Sequence, residues 1–233
     1  MILAIAFAGC ACRRPHVACR DLRSAPTCRL LIGVAIRCCV AVSPLQDFRV
    51  HEVQPIDVAF NVNRSVVGVH AGDVVRAAEM VASGLLPGVG PMRVVATLSA
   101  NDTAPAVLSA ALATARAGVG SPGPLGKVVI AGSTASWASI AKAERYDMAN
   151  YYSFVFGALT HFDLPDMAAA LPAGVSVLFA APTDARGVAL TAGGSHAVFA
   201  WAKTANPALM VVPTSDAGRL TQAVIQFIRM KQA

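Results

Sequence analysis

Across residues 46–233, short apolar runs alternate with longer segments whose apolar side chains recur every three or four positions. The runs at 93–98, 127–131, 175–180 and 208–212 are rich in Val, Leu, Ile and Ala. Such runs mark strands buried on both faces. Between them the spacing predicts helices. Asp73 opens one with Val74, Ala78, Val81 and Leu85 on a single face, preceded by a turn-rich connection over 61–68 and a strand ending at Val58-Ala59-Phe60. Asp102 or Thr103 caps a second, bearing Val107, Leu108, Ala111, Leu112 and Ala115.

Asp163, Pro165 and Asp166 carry the signature of a helix start, and Leu171-Pro172-Ala173-Gly174 stops that helix. Here a polar cap accepts free N–H groups and acids suit the positive end of the dipole. Thr191 or Ser195 opens a helix with Val198, Phe199 and Trp201. Asp216 caps a last one with Leu220, Val224, Phe227 and Ile228. Residues 133–160 show neither period. Four strands alternating with helices predict an α/β fold with a mostly parallel sheet.

Composition divides the chain in two. Residues 1–45 hold six Arg against one Asp and all six cysteines (Cys10, Cys12, Cys19, Cys28, Cys38, Cys39). Residues 46–233 hold 13 basic and 12 acidic residues, so the formal charge of +6 belongs almost wholly to the first segment. A near-neutral body presents no basic face for nucleic acid. The cysteine spacings match no zinc site. Residues 1–45 read as an Arg/Cys-rich, poorly ordered leader ahead of a 46–233 domain. Met1 to Ala8 resembles a signal-peptide core and Phe7-Ala8-Gly9-Cys10 a lipobox. The hydrophobic fraction is 55% and the mean hydropathy +0.57. Even so, Arg37, Pro172 and Gly174 break the longest apolar runs short of the roughly 20 residues of a membrane span.

The body also carries short motifs in a fixed order: Asn63-Arg64-Ser65-x-x-Gly68-x-x-x-x-Asp73-Val74-x-Arg76-Ala77, Ala110-Ala111-Leu112, Phe162-Asp163-Leu164-Pro165-Asp166 and Pro182-Thr183-Asp184. Together they resemble the second half of bacterial α/β-hydrolases of the acetyl xylan esterase type, over roughly Asp57 to Phe227. The resemblance implies one half of a three-layer fold, its strands at 93–98, 127–131, 175–180 and 208–212 lying side by side with flanking helices. It also implies an open edge on the 93–98 strand, to be covered by the apolar runs 30–36 and 39–42 or by a second copy in a homodimer.

The same resemblance sets expectations for chemistry and exposes departures. The nucleophile elbow falls at Ser99-Ala100-Asn101-Asp102-Thr103. Asn101 takes the nucleophile position and both flanking glycines are missing. An elbow needs those glycines for its tight turn, and Asn forms no acyl intermediate. Asp184 matches the triad acid, whose work is to orient a histidine. Its alternative is an Asx turn in Thr-Asp-Ala-Arg-Gly, paired with Arg186. No histidine follows the last strand. His196 lies nearest in sequence, on a helix beside Val198 and Phe199, while His161, ahead of the Asp-Leu-Pro-Asp turn, reads as structural and His70 and His51 match no role.

The expected function is therefore a hydrolase-like protein related to carbohydrate esterases, truncated or degenerate, with little or no catalysis. One alternative is an active serine ester hydrolase that draws on Ser99, Asp184 and His196 and takes an acylated sugar or small ester. The other is a non-catalytic binding or assembly module. No cofactor or metal is called for, since residues 131–136 lack the GxxxxGK of a phosphate loop. Tyr146, Tyr151, Tyr152, Phe154 and Phe156 form an aromatic group that reads as packing or as the lining of a sugar cleft.

Overall fold

The computed structural model describes residues 4–8, 65–83, 94–99, 104–117, 123–172 and 174–230. Among these residues five strands form one all-parallel sheet: β1 (Ala4–Ala8), β2 (Val94–Ser99), β3 (Leu125–Ala131), β4 (Ser176–Ala180) and β5 (Leu209–Val212). Their spatial order is their chain order. The four strands read from the apolar runs thus lie side by side as expected. The neighbour of β2 is Ala4–Ala8, paired Ala4 to Val95 through Ala8 to Ser99. The apolar runs 30–36 and 39–42, expected to cover that edge, lie outside the described residues, as does the strand ending at Phe60.

Helices flank both faces, an α/β layout. Between β1 and β2 runs α1 (Val66–Ala82), between β2 and β3 α2 (Ala104–Ala117). The β3–β4 connection holds α3 (Trp137–Lys142), 3₁₀ turns at Met148–Ser153 and Ala158–Thr160, and α4 (Leu164–Ala169). Then come α5 (Ala192–Ala205) and, after β5, α6 (Ala217–Arg229).

Strand alternation sorts the core. Val128, Ile130, Val177, Phe179 and Leu209 pack with apolar residues of α1, α2, α4 and α5. Val129, Leu178 and Ala180 face the other way and pack with Phe227 of α6.

Two expectations need correction. The helix expected to open at Asp73 begins at Val66, because the Ser65 hydroxyl accepts the Gly68 N–H at 2.9 Å and so caps it there. Gly68 closes the stretch read as turn-rich, yet burial of Val67 and Ala71 ahead of Val74, Ala78 and Val81 outweighs the weak helix propensity of Gly68 and Gly72. Asp73 sits mid-helix, 3.8 Å from Arg76 in an exposed ion pair. Residues 133–160 are not uniformly irregular: Ser136 caps α3 by accepting the Ser139 N–H, and Trp137 and Ile140 are buried.

The caps at Asp163, Thr191 and Asp216 form as expected. Asp163 and Asp166 make a reciprocal capping box on α4, Thr191 accepts the Gly194 N–H, and Asp216 accepts that of Arg219 at 2.7 Å.

Candidate functional site at the carboxyl edge of the sheet

In an open parallel sheet the strand carboxyl ends gather functional groups. Here β3 and β4 end alike. Ala131 and Ala180 are in register, and the next residues, Gly132 (φ 65°) and Ala181 (φ 51°), both enter the left-handed region. Each still carries the ladder one bond further: Gly132 N–H donates to Ala180 O and Ala181 N–H to Val212 O, both at 2.9 Å. The two loops then pair with each other. Thr183 N–H donates to Ser133 O at 2.9 Å and Ala135 N–H to Thr183 O at 3.0 Å.

Ala181 is the only non-glycine residue with positive φ among those described, and an L side chain is disfavoured there by roughly 1–2 kcal/mol. Ala181→Gly is therefore expected to stabilise the protein by about 0.5–1 kcal/mol, once the greater freedom of unfolded glycine is subtracted. The urea midpoint should rise. A fall would show that the Ala methyl contributes packing exceeding the strain.

A buried amide ties this edge to the β3–β4 connection. Asn150 is 0% exposed. Its Nδ2 donates to Ala185 O at 2.9 Å and its Oδ1 accepts the Thr134 hydroxyl at 2.5 Å. The same Ala185 carbonyl accepts the Asp147 N–H at 2.8 Å, and Ser153 Oγ donates to Asn150 O at 2.6 Å. A second node is Asp163. Beyond its own helix, its carboxylate accepts the Trp137 N–H at 2.7 Å, the Ala138 N–H at 3.3 Å and the Ser136 hydroxyl. One carboxylate thus stands at the amino ends of α3 and α4, where both helix dipoles favour negative charge.

Asp184 is half-buried in this scaffold. Its Oδ1 accepts the N–H groups of Arg186 at 2.8 Å and Val188 at 2.9 Å. Its own N–H donates to Val188 O, and Gly187, with φ 78°, donates to Asp184 O. This is an Asx-type turn in which the carboxylate shapes its own loop. Among the described residues no histidine or serine bonds to it.

His196 lies exposed in α5, and His161 is exposed too. Ser99 ends β2, in register with Ala131 and Ala8. Asn101, with the rest of the elbow segment 100–103, lies outside the described residues. The structure therefore places Asp184 and Ser99 at strand carboxyl ends, without joining Asp184 to a partner base. Two buried hydroxyls of the β4–α5 region, Thr183 Oγ1 and Ser195 Oγ, have no hydrogen-bond partner among the described residues.

The aromatic group resolves largely into packing. Tyr146 and Tyr151 meet Phe154 edge-on at centroid distances of 5.8 and 5.9 Å, whereas Phe156 is 67% exposed. Among the described residues no cluster of His, Cys, Asp and Glu is arranged to hold a metal, and no helix is long and apolar enough to cross a membrane. Sequence reading missed Asn150, took the segment of Thr134 as a turn, and gave Lys127 only as the start of a strand; Asn150 sits in a segment with no period. No family model matches this chain, and neither a curated protein nor a solved structure matches it.

Proposed function

We propose that the chain is a hydrolase-like protein related to carbohydrate esterases of the acetyl xylan type, keeping the scaffold with little or no ester hydrolysis. The ordered motifs from Asn63 to Asp184 support the kinship. So does the parallel arrangement of β2–β5, with the final helix alone among the described helices packing on the opposite face. The weak chemistry rests on one observation above all: Asp184 Oδ1 shapes its own loop by accepting two of its N–H groups, and no histidine among the described residues bonds to the carboxylate, His196 lying exposed on α5. Asn at position 101 adds to it, since the amide offers no ionisable nucleophile.

The test is p-nitrophenyl acetate hydrolysis by the full chain beside Ser99→Ala, Asp184→Ala and His196→Ala. The expected result is a rate near the buffer background and unmoved by any substitution. Turnover well above background that Ser99→Ala and Asp184→Ala both abolish would overturn the reading and establish a serine ester mechanism, because groups of such a site act as a unit.

A further inference from the structure

On the face of the sheet opposite α1, α2, α4 and α5, α6 is anchored at few points. Phe227 is its one buried residue. Leu220, Val224 and Ile228 are half-buried against Val129, Leu178 and Ala180, and the helix is otherwise mostly exposed. Its carboxyl end, however, meets Lys127 near the amino end of β3, the middle strand. Lys127 is 6% exposed. Its Nζ donates to Phe227 O and Ile228 O at 2.8 Å each, and to Met230 O. It also lies 5.6 Å from the Phe227 ring centroid.

An ammonium has three donors, and α6 takes two of them and its cap residue Met230 the third. Phe227 O and Ile228 O belong to the last turn, whose carbonyls lack intrahelical partners and carry the negative end of the dipole. Charge and ring add a cation–π contact. Against this, covering the amine removes it from water, and burial lowers its pKa. The charged amine therefore resists being covered while the carbonyls hold it. Strong local bonds set against desolvation, beneath a helix with one buried side chain, describe an element poised to open on its own. Only residues 213–216 join it to β5.

We propose that α6 is a releasable strap on the second face of the sheet, latched by Lys127 through the carbonyls of its last turn. It opens as a unit, baring Val129, Leu178 and Ala180, while β3, β4 and the opposite helical layer stay folded. Sub-global opening of this kind is drawn from elements with few buried contacts.

Native-state hydrogen exchange on the full chain tests this in the wild type and in Lys127→Met, which keeps the stem and removes the donors. In the wild type, amides of 217–229 should exchange faster than those of 176–180 and depend less on denaturant. In Lys127→Met they should speed up by about tenfold or more, the change expected when on the order of 1.4 kcal/mol of latch is lost, with 176–180 unchanged. Exchange of both segments in step in the wild type would overturn the proposal. So would a Lys127→Met chain whose α6 amides keep their protection, or one in which both segments accelerate together.

Discussion

Phe179→Ala is expected to destabilise the protein by about 3–5 kcal/mol, the range for truncating a buried aromatic. Phe179 lies in β4 between Ile130 and Val211 in register, is 0% exposed, and packs against Phe199 of α5 with ring centroids 4.7 Å apart and planes tilted by 46°. A pair of that geometry contributes roughly 0.5–1.5 kcal/mol beyond the area it buries. The site is held by paired strands on both sides, so it has little scope to collapse around the lost ring. Domains are stable by only about 5–15 kcal/mol, so the loss takes a large share. Urea unfolding of the full chain measures it, with Val188→Ala as control. Val188 is 60% exposed, and such surface changes stay within about 0.5 kcal/mol. A Phe179→Ala loss near that of the control would contradict the packing of α5 on β4.

The second large effect belongs to Asn150. Truncation to Ala leaves the Thr134 hydroxyl without its acceptor and removes one of the two donors to Ala185 O, all within a fully buried site. Each buried group left unsatisfied costs about 1–3 kcal/mol, and the space vacated adds to it. A loss of about 3 kcal/mol is expected, read as a fall in the thermal midpoint. Thr134→Val isolates one bond of the network, and the Asn150/Thr134 double-mutant cycle should return a coupling of roughly 0.5–3 kcal/mol. Strict additivity would mean that the two side chains act apart.

Much of the fold was legible along the chain. The runs giving β2 to β5 and the caps Asp163, Thr191 and Asp216 rest on interactions within four residues. A cap bonds an N–H one to three positions on, and the apolar stripe of α6 follows from helical period alone. The start of α1 was misread, because the stretch closing at Gly68 spoke for a turn while the burial that overrides it is tertiary. For the candidate site, sequence could name Asp184 and its Asx-turn alternative, since that turn closes within residues 184–188. It could not choose between them. An acid is available to a base only when folding brings a base to it, and His196 instead lies exposed on α5.

What the sequence by itself determined is the alternation of strands and helices over residues 94–229, the parallel sheet that alternation demands, and the caps at Asp163 and Asp216. All of these are set by local period and by bonds between near neighbours. Only the tertiary structure decided the placement of Ala4–Ala8 beside β2, the left-handed Ala181, and the long-range polar bonds. Asn150 reaches Thr134 across 16 residues and Ala185 across 35. Lys127 reaches the end of α6 across 100 or more. Buried donors and acceptors must be satisfied by whatever the packed layers bring near them, and nothing in the spacing of residues along the chain says which groups those are.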